Sequence, residues 1–429
     1  MKVAILTNFN DFMPGYSLTG IVKDQMTMLL EHGHEPHLFV NQQYNNKHDG
    51  DMPKGAILHK SVPFGHLVDY HSLSEVSEDH KKMANDVRDM LVKELADFDL
   101  AFTHDWVYTG WNLPYALGIQ KASSSLPELR WLHWVHSLPN SNYNWWNINR
   151  YGRNHKLVSF TETQRRHLAE KYKGTLGDVR VIPHIKDLRT WYDFDPDTCD
   201  FIKEYPAVMQ ADVVQIYPAS SDRLDSKRVN MLSTIFSEIK KRGFSVCLVI
   251  ANQWANVEKV KVVCRKYEKF AKEQGLEPGK DFIFSSFWKP EYEVGLPKRI
   301  LRELQLCQNL FVYPTRDETF GLVGPEAALS GAFTVWNNSM DLMSEVFNNK
   351  GLNFDFGSFH RDFEPGQGWD NYLSAVASLI ISRMRENEAV MVKTSVRQRF
   401  NYDSLFKKVY EPIMTESKTW LPTVKKRTL

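Results

Sequence analysis

Short apolar runs alternate with amphipathic segments along almost the whole of this 429-residue chain. The runs have the length of strands, and the segments between them repeat apolar residues with the spacing of a helix. This order predicts parallel sheets covered by helices on both faces, which is the α/β class. The runs fall into two series, so we expect two doubly wound domains whose ligands bind beyond the carboxyl ends of the strands.

The first series closes near residue 183, and the second opens near residue 213. In the first, strands are predicted at Val3–Leu6, Glu35–Val40, Leu100–Thr103, Trp131–Val135, Leu157–Phe160 and Val179–Ile182, and helices near Ser17–His32, Glu78–Leu95 and Thr161–Tyr172. In the second, strands are predicted at Val213–Tyr217, Val246–Ala251, Phe282–Ser285, Leu310–Tyr313 and Phe333–Trp336, and helices at Ser226–Lys241, Val257–Gln274, Pro297–Leu306 and Gly324–Ser330. The polar stretch Asp187–Asp200 is predicted to connect the domains.

Composition is that of a soluble globular protein, with 42% hydrophobic and 24% charged residues. No apolar stretch approaches the roughly 18 residues that a membrane-spanning helix needs, and the opening residues are typical of a strand, not of a signal peptide. The four cysteines are far apart, which argues against a disulfide framework or a zinc site. We therefore expect a cytoplasmic protein. The net charge of +1 neither demands nor excludes a polyanionic partner.

Two carboxylates lie eight positions apart around a glycine turn between Pro314 and Gly331, in the sequence Pro-Thr-Arg-Asp-Glu-Thr-Phe-Gly-Leu-Val-Gly-Pro-Glu-Ala-Ala-Leu-Ser-Gly. Glu318 is predicted on the loop after a buried strand, and Glu326 in the first turn of the next helix. One carboxylate can accept hydrogen bonds from sugar hydroxyls and the other from a ribose, while backbone amides between them face a phosphate. The same pattern also fits an acidic first turn that complements the helix dipole.

A second strand-to-helix turn carries three cations, Arg223, Lys227 and Arg228. Arginine can bind a diphosphate bidentately, and lysine serves as a point charge. A solvated basic helix start is the alternative explanation. Position favours the phosphate site, because this turn and the Glu318 loop both follow strands of one parallel sheet and can lie side by side.

These residues together resemble the donor site of glycosyltransferase family 4, the large retaining group with the GT-B fold. The resemblance is carried by Glu318-Thr-Phe-Gly-Leu with Glu326-Ala and Gly331, and by Arg223-Leu with Lys227. Other markers follow in order along the chain: His104-Asp105-Trp106, Trp131-Leu-His-Trp-Val-His136-Ser, Val181-Ile-Pro-His184-Ile-Lys-Asp187, and Arg399-Phe-Asn-Tyr402-Asp403 with Tyr410. The resemblance implies two Rossmann-like domains that face a cleft.

The resemblance implies an acceptor-binding domain at residues 1–190 and a nucleotide-sugar-binding domain at 191–398. A terminal helix and a basic tail at 399–429 would cross back to the first domain. The implied reaction moves a sugar from a nucleoside-diphosphate sugar, most simply a UDP-sugar, to an acceptor hydroxyl with retention at the anomeric carbon. No tightly bound cofactor and no metal ion are implied.

Each site residue then has an implied role. Glu326 would hold the ribose, and Glu318 would face the donor sugar, assisted by the backbone at Phe320, Gly321 and Leu322. Arg223 and Lys227 would neutralise the diphosphate as charge develops on it. The family spaces its arginine and lysine slightly wider, so Arg228 is an alternative to Lys227. His136 would lie close to the reacting sugar, and Gly20 would let the backbone approach the donor phosphates.

The acceptor is the least constrained part of the prediction. His104 and Asp105 at a strand end, and Trp145 and Trp146 in an aromatic-rich stretch, are candidates for contacting it, although aromatic residues of this kind also pack into cores. The opening Asn8-Phe-Asn-Asp-Phe-Met-Pro-Gly-Tyr-Ser-Leu-Thr-Gly20 is similar to glycosyltransferases of tailed phages, some of which decorate hydroxymethylated DNA bases. The acceptor is thus a glycan or, as the alternative, hydroxymethylated DNA in a host cytoplasm.

Two functions of other classes stay open at this point. The same fold could serve a non-catalytic protein that binds a nucleotide sugar or a nucleic acid, or an epimerase that converts a sugar nucleotide without an acceptor. A glycoside hydrolase is disfavoured, since Glu318 and Glu326 flank one helix start and are better placed to grip a ligand than to straddle a glycosidic bond.

Overall fold

A computed structural model describes residues 1–65, 76–107, 113–136, 151–185, 187–318, 321–348, 350–358 and 368–420. The chain divides into two compact units. Unit 1 comprises Met1–Lys186 and Tyr402–Leu429, and unit 2 comprises Asp187–Asn401. Among the described residues, no helix is long and apolar enough to cross a membrane.

Unit 1 is built on a seven-stranded sheet in the order β3-β2-β1-β4-β5-β6-β7, with every neighbouring pair parallel. This is the doubly wound order, in which the chain reverses direction across the sheet between β1 and β4. The strands and helices are β1 (Lys2–Leu6), α1 (Ser17–Glu31), β2 (Glu35–Asn41), β3 (Ile57–Val62), α2 (Glu78–Glu94), β4 (Leu100–His104), α3 (Leu113–Ala122), β5 (Arg130–Trp134), β6 (His155–Ser159), α4 (Glu162–Lys171) and β7 (Val179–Val181), with 3₁₀ turns at Asp49–Asp51 and Leu176–Asp178.

Unit 2 contains two three-stranded parallel sheets, β10-β9-β8 and β11-β12-β13. Its elements are α5 (Leu188–Trp191), α6 (Pro196–Glu204), α7 (Ala207–Gln210), β8 (Val213–Ser220), α8 (Val229–Lys241), β9 (Val246–Gln253), α9 (Glu258–Glu273), β10 (Phe282–Phe284), α10 (Lys298–Cys307), β11 (Leu310–Tyr313), α11 (Val323–Leu329), β12 (Phe333–Asn337), α12 (Asp341–Val346), β13 (Leu352–Phe354), α13 (Trp369–Glu386) and α14 (Glu388–Phe400), with 3₁₀ turns at Ser285–Phe287 and Pro290–Tyr292. The chain then returns to unit 1 through α15 (Tyr402–Leu405), a π-helical turn (Phe406–Tyr410) and α16 (Glu411–Ser417).

Alternate residues of β1 face opposite sides of the unit 1 sheet, as strand geometry requires. Ala4 and Leu6 belong to the apolar core that includes residues of α2 and α3. Val3 and Ile5 belong to the other core, which takes in α1 and the returning C-terminal helices. The C-terminal segment therefore completes a face of the first sheet.

The two sheets of unit 2 meet at β8 and β11. Between these two strands, hydrogen bonds from side-chain amides replace most of the backbone-to-backbone hydrogen bonds of a regular sheet. The Gln215 side chain donates to the carbonyl of Val312 and accepts from its amide, each at 2.9 Å. Asn309 Oδ1 accepts from the amide of Val214 at 2.8 Å, and Gln308 Oε1 from that of Ile216 at 3.1 Å. With β8 beside β11, unit 2 has the same doubly wound order as unit 1, and its reversal point lies at this junction.

Replacing Gln215 by leucine is expected to lower the free energy of unfolding by about 3 kcal/mol, because the buried amide and carbonyl of Val312 both lose their partner. Chemical denaturation monitored by circular dichroism measures the change. Gln210→Leu, at an exposed glutamine of α7, is the control and should shift stability by less than about 0.5 kcal/mol. An equal effect of the two variants would contradict the bridging role of Gln215.

The α/β class and the two doubly wound sheets predicted from the alternation are confirmed. The prediction for Asp187–Asp200 is wrong, because this stretch forms α5 and the start of α6 within unit 2, where Phe194 is buried. Strands β3 and β13 were not predicted. Both strands lie at the edges of sheets, and most residues of β3 are exposed or half-buried. Neither strand therefore has the continuous apolar run from which a buried strand is predicted.

Candidate functional site

The reversal point of unit 2 brings together the two loops that the sequence analysis singled out. The loop after β8 carries Arg223, Lys227 and Arg228, and the loop after β11 carries Glu318. Since β8 and β11 are neighbouring parallel strands, both loops leave the sheet at the same edge, the one formed by the carboxyl ends of the strands. The amide of Arg316 donates to the carbonyl of Ser226 at 3.0 Å, which ties one loop to the other.

Lys227, Glu318 and Tyr313 form a compact cluster at this edge. Lys227 Nζ donates to Glu318 Oε1 and forms an ion pair with it. The hydroxyl of Tyr313 donates to the same oxygen at 2.6 Å, and Lys227 Nζ lies 3.3 Å from that hydroxyl. The Lys227 and Glu318 side chains are only 6% and 13% exposed. An ammonium, a carboxylate and a phenol therefore lie in contact at a position that is largely shielded from solvent.

The cluster changes the acidity of its members. Burial lowers the pKa of Lys227, and the hydrogen bond to Glu318 offsets part of this effect. Burial alone would raise the pKa of Glu318, but the hydrogen bonds from Lys227 and Tyr313 bring it below its ordinary value. Burial and neighbouring groups raise the pKa of Tyr313, so its phenol keeps its proton. The cluster therefore contains a cation, an anion and a neutral donor at neutral pH.

Local structure holds Lys227 in place. Its amide donates to the carbonyl of Arg223 at 2.8 Å, and its carbonyl accepts from the hydroxyl of Tyr217 at 2.9 Å. Tyr217 is fully buried in β8. Leu224 is buried as well, so an apolar anchor fixes the loop beneath its charged side chains.

Gly321 permits the close approach of the Glu318 loop to Tyr313. Its φ is +75°, and a Cβ there would lie 3.3 Å from the Tyr313 hydroxyl. Glycine is the residue that adopts this conformation without strain. The turn between the two carboxylates is therefore a geometric requirement of the cluster. The amide of Gly324, which lies between the two carboxylates, donates to the carbonyl of Gly321 at 2.8 Å and is therefore already bonded within the turn.

The other cations differ in their surroundings. Arg223 lies at the rim, 41% exposed, and pairs with Asp317 at 2.9 Å. Arg228 precedes α8 as its N-cap residue, with a φ of +54°. Burial, together with the nearby charge of Arg316, lowers the pKa of Arg228. Of the two alternatives left by the sequence, Lys227 is the one that contacts Glu318.

Glu326 lies in α11 and pairs with Lys298, the first residue of α10. The Glu326 side chain is 28% exposed and that of Lys298 is 72% exposed, so a ligand hydroxyl can reach the carboxylate from solvent. Leu322 is 68% exposed. Phe320, predicted to assist the donor sugar through its backbone, lies outside the described residues.

In unit 1, the predicted residue His136 belongs to a cluster of aromatic rings. His136 Nε2 lies 2.9 Å from Nδ1 of His104, and the His136 ring stacks against His184 at 5.5 Å. Burial and the neighbouring His184 lower the pKa of His136 to about 3. Its amide donates to Asp105 Oδ1 at 2.8 Å. At neutral pH, His136 is therefore an uncharged imidazole, with one donor and one acceptor nitrogen.

The acceptor contact predicted for His104 does not fit the structure, because only 3% of the residue is exposed. Its ring lies between Trp134 and His136, and it supports His136. Asp105, with a φ of +56°, holds the turn after β4 through the amide of His136. Trp145 and Trp146 lie outside the described residues. Gly20 lies in the first turn of α1 and is exposed.

Three residues that contribute to the site, Tyr313, Asp317 and Lys298, were not predicted from the sequence. Tyr313 ends β11, so its hydroxyl at a carboxyl strand end was a signal that could have been used. Asp317 adjoins Glu318 but was not assigned. Lys298 opens a helix far along the chain from Glu326, and no spacing rule connects the two. Among the described residues, no group of three or more histidine, cysteine or acidic side chains is placed to hold a metal ion.

No family model matches the chain, and no curated protein matches its sequence. Solved structures are similar to it over nearly their whole length. A glycosyltransferase from Rickettsia africae shares 12% identity over 97% of this chain and 98% of its own, with a TM-score of 0.35. HepE from Anabaena, solved in complex with UDP, shares 13% over 97% and 100%, with a TM-score of 0.32. Sucrose-phosphate synthase from Thermosynechococcus elongatus shares 16% over 96% and 99%, with a TM-score of 0.32.

At such low identities and TM-scores, similarity to these structures does not indicate what the site binds. The function of the site follows only from the residues that form it.

Proposed function

We propose that unit 2 binds a nucleoside-diphosphate sugar and that the protein transfers the sugar to an acceptor hydroxyl. The observation that carries this proposal is the cluster of Lys227, Glu318 and Tyr313 at the reversal point of a doubly wound sheet, where such folds bind ligands. A cation suits the diphosphate, while the carboxylate and phenol suit sugar hydroxyls. Arg223 at the rim adds a second phosphate ligand.

The proposed reaction breaks the bond between the anomeric carbon and the diphosphate and forms one to the acceptor oxygen. The departing phosphate takes the acceptor proton, and Lys227 and Arg223 stabilise the charge that develops on it. Retention of configuration rests on the resemblance to family 4. A role for His136 near the sugar rests on the same resemblance and stays a prediction.

The test incubates purified protein with a panel of nucleotide sugars, with and without candidate glycans and hydroxymethylated DNA. Release of the nucleoside diphosphate and mass added to an acceptor would support transfer. Conversion of the donor without any acceptor would favour an epimerase, and binding without consumption a non-catalytic binding protein. Consumption of the donor with glycans but not with DNA would exclude hydroxymethylated DNA as the acceptor. No feature of the described residues specifically favours DNA as the acceptor.

The two carboxylates are expected to separate binding from transfer. Glu326→Ala should weaken UDP binding about tenfold or more, because a charged acceptor for the ribose hydroxyls is lost. Glu318→Ala should mainly slow transfer. Calorimetric titration with UDP and a turnover assay measure the two effects. Glu345→Ala, an exposed glutamate of the same unit, is the control, and wild-type behaviour of all three variants would remove the donor site from this edge.

A further inference from the structure

The turn after β9 carries an exposed tryptophan in an unusual backbone conformation. Trp254 has a φ of +61°, and 60% of its surface is exposed. Positive φ is strained for a bulky residue, and such strain concentrates at functional sites. Within the described part of the chain, the indole makes no hydrogen bond and no ring contact. A large planar face is therefore presented to solvent at a cost in backbone energy.

The backbone of this turn is firmly held although the ring is not. The buried Ala255 donates its amide to the carbonyl of Glu293 at 2.8 Å, and the amide of Trp254 donates to Val294 at 3.4 Å. Glu293 in turn forms an ion pair with Lys261 of α9. Because two successive amides of the turn are bonded to the Glu293–Val294 segment, the backbone that carries the indole is held in place before any ligand arrives.

A buried asparagine joins this turn to its neighbours. Asn252 Nδ2 donates to the hydroxyls of Ser221 and Ser286, both at 2.9 Å. The amide of Asn252 donates to Ser285 Oγ, and the amide of Ser286 to Asn252 Oδ1, both at 3.1 Å. Asn252 is fully buried. The strand ends of β8, β9 and β10 are thus tied together beneath the turn.

Trp254 lies on the edge that carries the proposed donor ligands. Ser221, which donates its amide to the carbonyl of Gln253 at 3.1 Å, is two residues before Arg223. On the other side, Val294 bonds the Trp254 amide, and Lys298, four residues further on, pairs with Glu326. The backbone turn that carries Trp254 therefore adjoins both the phosphate-binding loop and the segment that leads to the proposed ribose ligand.

We propose that Trp254 is the stacking platform for the base of the nucleoside-diphosphate donor. The inference rests on the proposed function and adds a base-binding residue to it. An aromatic face binds any nucleobase by stacking, and the donor site otherwise supplies ligands only for the sugar, the ribose and the phosphates. A fixed turn with an exposed indole, on the same edge, supplies the missing contact.

Trp254→Gly tests the proposal, because glycine accepts the positive φ and the fold should be at least as stable as the wild type. Calorimetric titrations use UDP, ADP and GDP, with inorganic pyrophosphate as the probe that lacks a base. We expect roughly tenfold weaker binding of the preferred nucleoside diphosphate and unchanged binding of pyrophosphate. Trp254→Phe, which keeps an aromatic face, should retain most of the affinity.

Trp191→Ala is the control, since Trp191 is an equally exposed tryptophan of unit 2, at 65%. If wild-type protein binds a nucleoside diphosphate and Trp254→Gly binds it equally well, the stacking role is wrong while the proposed function stands. Equal weakening of pyrophosphate would mean that Trp254 acts through the Arg223 loop, which also contradicts stacking. Absence of binding to the wild type would overturn the inference together with the proposed function.

Discussion

Replacing Lys227 by methionine is expected to reduce sugar transfer about 100- to 1,000-fold, the usual effect of removing one group that stabilises transition-state charge. The loss should fall mainly on kcat, because the leaving diphosphate gains charge as the glycosidic bond breaks. A steady-state assay with the donor identified by the panel measures it. Lys241→Met, at an exposed lysine of α8 that pairs with Glu238, should leave turnover unchanged.

The same variant should lose stability, since Glu318 then keeps a poorly exposed charge without its cation. Breaking such a pair costs about 3 kcal/mol. The double variant Lys227→Met/Glu318→Gln removes both charges and should recover most of the stability, while its activity stays low. Recovery of activity together with stability would show that Lys227 has a structural role only, and would remove it from the proposed mechanism.

Mild acid is expected to unfold unit 1 before unit 2. Fourteen of the fifteen histidines precede residue 187, and His360 is the exception. Burial lowers the pKa of His133 to about 3, and burial with the nearby His133 and Lys156 places the pKa of His155 well below its usual value. His104 and His136 are shifted in the same direction. These imidazoles are neutral in the folded protein and take up protons on unfolding.

The direction of the pH dependence follows from proton linkage. Below the unfolded pKa of about 6.5 the unfolded chain binds more protons than the folded one, so stability is full above that pH and falls as pH decreases towards about 3. Each such histidine contributes a slope of about 1.4 kcal/mol per pH unit. Hydrogen exchange measured by mass spectrometry between pH 7 and pH 4.5 should show peptides of unit 1 losing protection first.

A variant comparison isolates the cause. His133 is bonded to Thr103 and His155 inside the sheet. His133→Gln removes one titrating group and should flatten the slope of stability against pH, even though the loss of packing lowers stability at pH 7. His167→Gln, at an exposed position of α4, should leave the slope as it is. An unchanged slope in His133→Gln would contradict the linkage argument.

Much of the fold is readable from the sequence because strand and helix periodicities are local. The buried strands were predicted within a few residues, whereas the edge strands β3 and β13 were not. The domain connection was misplaced because Asp187–Asp200 is polar on average. The average polarity of the stretch hides single apolar residues such as Phe194, which is buried in unit 2.

By itself the sequence singled out the candidate site residues: the two glutamates around a glycine turn, the cations before α8, and the histidine that follows β5. Only the tertiary structure decided which of them meet. Lys227 contacts Glu318 and Tyr313, and Lys298 contacts Glu326, because the doubly wound order makes neighbours of strands that are distant along the chain. The role proposed for Trp254 likewise depends on a backbone angle and an exposure that no spacing encodes. The periodicity of a strand or helix depends on residues close together in the sequence. Which residues meet across a sheet depends on the order of the strands, which neighbouring residues do not determine.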